Sequence, residues 1–162
     1  MKTIGLLSDT HGYLDDAVFK HFDQCDEIWH AGDFGAAVAS PLAAFKPLRG
    51  VYGNIDGSTI RAEYPEHLRF NCEGVDVWIT HIGGYPGKYN QAIQSAIKKN
   101  PPKLFICGHS HILKVQFDKT LNLLHMNPGA CGIYGFHQVR TMLRFEIDGE
   151  KIGNLEIVEL GK

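Results

Sequence analysis

Polar side chains of the kinds that bind metal ions follow five apolar segments of the chain, each where the segment ends. They are Asp9 with His11, Asp33, Asn54, His81, and His109 with His111. From Asp9, the successive groups are separated by 24, 21, 27 and 28 residues, about one strand–helix–strand or strand–hairpin step each. Because ligands of α/β sheets collect beyond the carboxyl ends of strands, we expect these side chains to converge in one crevice.

The mixture of ligand types predicts a pair of metal ions. Seven ligands, which combine carboxylate, imidazole and one amide oxygen, are too many for one tetrahedral zinc ion. They suit two five- or six-coordinate divalent ions, and imidazole favours Mn²⁺, Fe²⁺, Zn²⁺ or Ni²⁺ over Mg²⁺ or Ca²⁺. Any single group, such as Asp-x-His or Gly-Asn, is also common in ordinary loops. The prediction therefore depends on all five groups occurring in order, nearly all beside a glycine that permits a sharp turn.

The elements that must position these side chains are short strands and helices. Apolar runs predict strands over 3–8, 28–30, 48–52, 68–72, 75–80 and 104–107, and later over 114–118, 121–126, 141–147 and 153–159. Helical spacing of apolar residues predicts helices over 14–22, 36–45 and 87–99. The pattern is that of one α/β domain, spanning 1–162, whose second half is rich in strands.

Composition excludes several classes of function. The 162 residues carry 16 Lys and Arg against 18 Asp and Glu, so bulk electrostatic binding of duplex nucleic acid is not expected. No apolar run reaches the length of a membrane span, and Met1-Lys2-Thr3 leads directly into the first strand without a secretory segment. We expect a cytoplasmic protein that does not act at membranes. Its four cysteines are scattered and are predicted to be reduced, buried thiols.

Taken together, the motifs resemble those of the calcineurin-like metallophosphoesterase superfamily, and within it the small, capless bacterial and archaeal phosphodiesterases. The segments that carry the resemblance are Asp9-Thr10-His11, Gly32-Asp33, Gly53-Asn54, His81, Gly108-His109-Ser110-His111 and Asn127-Pro128-Gly129-Ala130. The resemblance implies a four-layer sandwich of two mixed β-sheets flanked by helices. It further implies that one metal is held by Asp9, His11 and His111, a second by Asn54, His81 and His109, and that Asp33 bridges them.

A reaction follows from such a site. A water shared by two divalent ions loses its proton near neutral pH, and the resulting hydroxide attacks the phosphorus of a phosphodiester in line. We expect Mn²⁺ as the metal, with Zn²⁺, Fe²⁺ or Ni²⁺ as alternatives, and a small phosphoester as substrate. The same seven residues are the candidate catalytic residues. The alternative hypothesis is a non-catalytic protein-binding scaffold on the same fold, as in the retromer scaffold subunit.

The chain departs from the family pattern after Gly53-Asn54, where many relatives carry a histidine that protonates the leaving oxygen. Here Ile55 and Asp56 follow. A missing proton donor can cost about 10²–10⁴-fold in rate, which predicts a preference for esters with an acidic leaving group, such as aryl or nucleotide diesters. The role of Asp56 is left open between a turn residue and an acid.

Two further side chains have two interpretations each. His30 is either an orienting partner of a ligand or a packed strand residue. Lys88 lies in a Gly/Tyr-rich loop that could line the substrate mouth or lie on the plain surface. His137 and Arg140 follow the Asn-Pro-Gly-Ala segment and could reach substrate. Whether protomers associate into a homo-oligomer is likewise open.

Overall fold

Twelve strands form two five-stranded mixed sheets and one short hairpin in the computed structural model, which describes residues 1–161. The strands are β1 (Lys2–Leu7), β2 (Glu27–His30), β3 (Leu48–Gly50), β4 (His67–Cys72), β5 (Val75–Thr80), β6 (Gly84–Tyr85), β7 (Lys88–Tyr89), β8 (Leu104–Ile106), β9 (Leu113–Asp118), β10 (Leu123–Pro128), β11 (Arg140–Asp148) and β12 (Lys151–Gly161). One sheet has the order β12-β11-β1-β2-β3 and the other β4-β5-β8-β10-β9, while β6 pairs with β7. In the first sheet β1, β2 and β3 are parallel, and in the second β5, β8 and β10 are parallel.

The main core lies between the two sheets. It joins residues of the first sheet, such as Leu6 and Trp29, to residues of the second, such as Val77 and Ile106. All four side chains are fully buried, and a fully buried aliphatic or aromatic side chain contributes about 1.5–3 kcal/mol by leaving water. The sheets therefore form the two inner layers of the predicted four-layer sandwich.

Four short helices are present in the described chain. They are α1 (Asp16–His21), α2 (Ala39–Phe45), α3 (Ser58–Glu63) and α4 (Gln94–Lys99). Helices α1 and α2 cover the outer face of the first sheet through Val18 and Leu42, and α4 covers the second through Ile97. Asp15 caps α1 by accepting a hydrogen bond from the Ala17 amide at 2.9 Å. Over residues 1–161, no helix combines the length and apolarity required to cross a lipid bilayer.

The fold class is confirmed, but two helix predictions need correction. The helix predicted over 87–99 begins only at Gln94, and the residues before it form the β6–β7 hairpin. Pro86 and Gly87 are the central residues of that hairpin, and the φ of +88° at Gly87 suits the third position of a type II turn. Helix α3 was not predicted, because it buries none of its side chains and so shows no apolar periodicity.

Candidate metal centre

All seven predicted ligands lie in loops that leave the carboxyl ends of parallel strands. Asp9 and His11 follow β1, Asp33 follows β2, and Asn54 follows β3. The remaining three follow strands of the second sheet, His81 after β5 and His109 and His111 after β8. The structure brings the seven positions together at one edge of the sandwich, where the two sheets face each other.

Backbone hydrogen bonds hold these loops against each other. The amide of Asp9 donates to Gly32 O at 3.0 Å, and the amide of His11 donates to Asp33 O at 3.0 Å. From the loop after β10, the amide of Gly132 donates to Asp9 O at 3.1 Å and so ties the two sheets together. The loops are therefore fixed by the fold before any ligand binds.

Each carboxylate uses one oxygen to anchor itself and presents the other to the centre. Asp9 Oδ2 accepts hydrogen bonds from Ser8 Oγ at 2.7 Å and from the His109 amide at 3.1 Å. Asp33 Oδ1 accepts one from the Ile55 amide at 3.0 Å. This leaves Asp9 Oδ1 and Asp33 Oδ2 free to face the imidazoles.

The first group of side chains comprises Asp9, His11 and His111, whose ligand atoms lie within 4.8 Å of one another. Asp9 Oδ1 is 3.6 Å from His11 Nε2 and 3.2 Å from His111 Nε2. Ligands about 2.1 Å from a shared ion stand about 3.0–3.4 Å apart, which is close to this spacing. The group matches the set that the resemblance assigns to one metal.

The second group comprises Asp33, His81 and His109, with Asn54 beside them. His81 Nδ1 lies 2.7 Å from Ala31 O, so it carries the proton and turns Nε2 toward Asp33 Oδ2 at 3.1 Å. His109 Nδ1 lies 3.0 Å from Asn54 Oδ1. Asp33 Oδ2 is also 3.4 Å from His11 Nε2 in the first group, so Asp33 stands between the two groups.

Three buried polar atoms in this cluster have no hydrogen-bond partner among residues 1–161: Asp9 Oδ1, His11 Nε2 and His81 Nε2. Buried polar atoms are almost always paired, because an unpaired one costs about 1–3 kcal/mol. Here all three atoms point at one another and all can donate a lone pair to a cation. The residues therefore fit a pair of divalent metal ions.

The charge states of the cluster suit cation binding. Burial favours the neutral form of Asp9, but interactions with His11 and His111 outweigh it and hold the pKa of the Asp9 carboxyl below its usual range. Burial likewise opposes ionisation of Asp33, and His81 lowers the pKa of that carboxyl below its usual range. Both carboxylates are thus ionised at neutral pH, the form that binds cations.

His30 connects the loop after β1 to the loop after β2. Its ring is fully buried and stacks on Phe34 at a centroid distance of 3.7 Å, and burial lowers its pKa to about 3. Nδ1 accepts a hydrogen bond from the Gly32 amide at 3.0 Å, and Nε2 lies 3.1 Å from Thr10 Oγ1, which donates to Phe34 O at 2.7 Å. The ring is therefore neutral with its proton on Nε2, and it positions the loops that carry Asp9 and Asp33.

Asp56, whose role the sequence left open, is a buried anchor of the ligand loops. Its carboxylate accepts hydrogen bonds from the amides of Gly53 at 2.8 Å, Phe34 at 3.2 Å and Gly35 at 3.0 Å. These donors come from both the loop after β2 and the loop after β3. Asp56 is therefore committed to holding the two loops together rather than to proton donation.

The other uncertain side chains separate into near and distant ones. His137 lies beside the first group, with its ring 5.2 Å from that of His111, and Lys88 lines a cleft that includes His109. Arg140, by contrast, is buried and engaged with Asp15 at 2.9 Å and Leu160 O at 2.8 Å, so it holds the fold together. All four cysteines are free and buried, as predicted.

Two features of the site were missed at the level of sequence. Asn127, quoted only as part of a motif, donates from Nδ2 to Gly108 O and Ser110 Oγ, each at 3.1 Å, and so fixes the turn that carries the last two histidines. In addition, five candidate ligands have left-handed backbone with φ between 46° and 71°, namely Asp9, His11, Asp33, His109 and His111. Such strain concentrates at functional sites. The left-handed backbone could not be predicted from residue type, since these positions are not glycines.

Comparison with known proteins identifies the class. Residues 1–150 match the family model described as the calcineurin-like phosphoesterase superfamily domain, and the chain belongs to that superfamily. The comparison with curated proteins gave no match.

Solved structures share the fold at low sequence identity. A structure described as a novel archaeal phosphodiesterase is 22% identical, with a TM-score of 0.77 over 98% of this chain and 99% of that chain. A predicted phosphoesterase from Streptococcus pneumoniae is also 22% identical, with a TM-score of 0.69 over 98% of this chain and 97% of that chain. Vps29 from Entamoeba histolytica, described as complexed with zinc, is 13% identical, with a TM-score of 0.74 over 98% of each chain. The fold is thus shared by phosphoesterases and by Vps29.

Proposed function

We propose that this chain is a dinuclear-metal-dependent phosphodiesterase that hydrolyses a small phosphodiester in the cytoplasm. The observation that carries the proposal is the convergence of Asp9 Oδ1, His11 Nε2 and His81 Nε2, which are buried and lack any hydrogen-bond partner. Asp9, His11 and His111 would hold one ion, and Asn54, His81 and His109 the other. Asp33 would bridge them, with Mn²⁺ the first metal to test.

The residues of the site would bind and orient both ions and substrate. Two divalent ions held by these residues would make a water more acidic and would neutralise charge on the phosphoryl oxygens. His81 keeps its Nε2 available because its Nδ1 hydrogen-bonds to Ala31 O. The carboxylate of Asp33 is oriented by the hydrogen bond that it accepts from the Ile55 amide. In the reaction the water releases a proton to solvent, its oxygen forms a bond to phosphorus, the ester P–O bond breaks, and the ester oxygen leaves with the electron pair.

The leaving group is expected to depart without a histidine acid beside Asn54. Ile55 occupies that position, with its side chain exposed and its amide bound to Asp33. Asp56 is engaged with three backbone amides and is not free to donate. We therefore propose esters with acidic leaving groups, and rates that depend steeply on leaving-group pKa across a series of substituted aryl diesters. Equal rates for alkyl and aryl leaving groups would contradict this.

The test of the proposed function combines metal content with activity. The purified protein is stripped with chelator, reloaded with Mn²⁺, Zn²⁺, Fe²⁺ or Ni²⁺, and assayed with bis(4-nitrophenyl) phosphate. We expect metal-dependent hydrolysis that is abolished by Asp33→Asn and by His109→Ala. His21→Ala, at the far end of α1, is the control and should retain full activity. A wild-type protein that is folded, metal-loaded and inactive on phosphodiesters would overturn the proposal.

The alternative function is that of a protein-binding scaffold. It is favoured by the exposed apolar side chains of Ile133, Tyr134 and Phe136 close to the candidate centre. Because a Vps29 structure is itself described as complexed with zinc, metal binding alone does not separate the two functions. Hydrolysis of a phosphodiester distinguishes them, since a protein-binding scaffold does not require catalytic activity. An inactive wild type whose metal can be removed without loss of folding would favour the scaffold.

A further inference from the structure

A cleft opens directly beside two of the candidate ligands. It has a volume of about 320 Å³ and includes Asn54 and His81 in its wall. That volume is at the lower end of the range for small-molecule sites. Its lining also includes Tyr52, Arg61, Glu66, Ile82, Ala92 and Ile93. A group attached to a phosphate held at the metal centre could therefore extend straight into this cleft.

One wall of the cleft is a flat cationic surface. The guanidinium of Arg61 lies 4.4 Å from the centre of the Tyr52 ring. Its Nε donates to Asp56 O at 2.6 Å and Nη2 to Asn54 O at 3.4 Å. Three contacts thus hold the guanidinium in place, and the side chain is exposed. A fixed guanidinium plane is a good stacking surface for an aromatic ring.

The rest of the wall combines apolar side chains with polar ones, among them Glu66 and His67. Ile93 is buried in it, and Ile82, which is 38% exposed, forms its boundary with a second cleft. That second cleft contains His109 and is lined by the exposed side chains of Lys88 and Gln91. It also offers a flat surface, the exposed ring of Tyr85, but Lys114 Nζ already lies 5.4 Å from the centre of that ring. The first cleft includes two candidate ligands, against His109 alone in the second, and its Arg61 guanidinium is held by three contacts, so it is better placed for a planar group on a bound phosphate.

We propose that the cleft beside Asn54 and His81 is the subsite for a planar aromatic ester group of the substrate, stacked on Arg61. The inference rests on the proposed function and narrows its substrate class to phosphodiesters that carry an aryl or nucleobase-like group. The phosphate remains at the candidate metal centre, and the aromatic group is held by Arg61 and Ile82. Apolar contact of this kind typically discriminates between ligands by about 10–200-fold.

The experiment fills one cleft at a time with adjacent substitutions. Ala92 lines only the first cleft and Gln91 only the second, and both are exposed. Ala92→Trp and Gln91→Trp therefore form a matched pair that touches no candidate ligand. The probes are diphenylphosphinate and dimethylphosphinate, whose P–C bonds are not hydrolysed, with binding to the metal-loaded protein measured by calorimetry. Bis(4-nitrophenyl) phosphate reports turnover in parallel.

We expect Ala92→Trp to weaken diphenylphosphinate at least about tenfold and to raise KM for the diaryl diester by a similar factor. Dimethylphosphinate and metal affinity should stay within about twofold of wild type, and Gln91→Trp should match wild type throughout. Equal effects of the two substitutions, or no effect of Ala92→Trp, would overturn the subsite while leaving the proposed function intact. A wild type that hydrolyses no diester and binds neither phosphinate would overturn both.

Discussion

Removal of the Asp56 carboxylate should weaken both the fold and the candidate metal centre. This side chain is 4% exposed and accepts hydrogen bonds from the amides of Phe34, Gly35 and Gly53. In Asp56→Ala all three amides lose their acceptor, and the loops after β2 and β3 lose the group that joins them. The variant therefore tests whether the Asp56 carboxylate positions the loops that carry the candidate ligands.

The magnitude follows from the number and kind of these bonds. A hydrogen bond to a charged group contributes about 1.5–3 kcal/mol, and three bonds to one carboxylate are not additive. We expect Asp56→Ala to lose about 3–5 kcal/mol of the free energy of unfolding. At about 2–4 °C per kcal/mol for a chain of this size, Tm should fall by roughly 6–20 °C. Loss of such a supporting contact should also weaken metal binding by about 10–100-fold.

Urea denaturation of the metal-free protein measures the first effect, and calorimetric titration with Mn²⁺ measures the second. Asp56→Asn should be intermediate, because its amide keeps one acceptor oxygen but turns an NH₂ group toward backbone donors. Asp23→Ala is the control, since that carboxylate is exposed and, within the described part of the chain, accepts only from the Gln24 side chain at 3.0 Å. If Asp56→Ala were within about 1 kcal/mol of wild type and bound Mn²⁺ normally, the anchoring role would be refuted.

Three other perturbations have definite outcomes. Gly53→Ala should abolish metal binding, because a Cβ at this glycine would clash with the Asp33 carboxylate. Gly57→Ala is the control and should bind metal normally, because a Cβ there would have no atom within 4 Å. Titration of both variants with metal tests the difference. Burial, reinforced by Lys114, lowers the pKa of His125 from 6.5 to about 4, so the stability that its neutral form provides is complete above pH 6.5 and is lost as the pH falls toward 4. Between pH 7.5 and pH 5 the free energy of unfolding, measured in urea, should therefore fall by about 2 kcal/mol less in His125→Leu than in wild type. An equal fall in the two proteins would contradict this. Chelation of metal should lower Tm, since a ligand at 100 times its Kd adds about 2.7 kcal/mol; an unchanged Tm in scanning calorimetry would argue against a resident metal.

The convergence of the candidate ligands could be predicted because it follows from topology. Asp9, Asp33 and Asn54 come after successive parallel strands of one sheet, and His81 and His109 after parallel strands of the other. Parallel strands place their carboxyl ends at the same edge, so spacing in the sequence translates into proximity in space. The strands of the two large sheets were predictable as short apolar runs that end in turn residues, whereas β6 and β7 were not predicted.

What the sequence could not provide depends on contacts between distant loops. Nothing local indicates that the Asp56 carboxylate faces amides of the loop after β2, because that contact spans 21 and 22 residues. The hairpin at Pro86 and Gly87 was predictable from its turn residues, but the helical spacing of the apolar residues that follow it extended the helix too far. Helix α3 has no fully buried side chain, and only Ile60 packs partly buried against the outer core, so its sequence shows no apolar periodicity.

The left-handed backbone at the candidate ligands indicates that the site was not built for stability. His109 has φ of 71° and an exposed side chain, so its conformation gains little from packing. A non-glycine residue in this region costs about 1–2 kcal/mol. Hydrogen bonds between the loops, such as His109 N to Asp9 Oδ2 at 3.1 Å, keep the strained geometry in place. We infer that the left-handed backbone is needed to direct the His109 imidazole toward the candidate metal centre.

Two substitutions at His109 separate the effect of its side chain from that of its backbone conformation. His109→Gly and His109→Ala both remove the imidazole, so both should lose metal binding and activity. Only glycine relieves the left-handed conformation, and the Gly variant should therefore be about 1 kcal/mol more stable than the Ala variant in urea with chelator present. An Ala variant at least as stable as the Gly variant would show that the backbone at this ligand is not strained, and the positive φ values would then carry no argument about function.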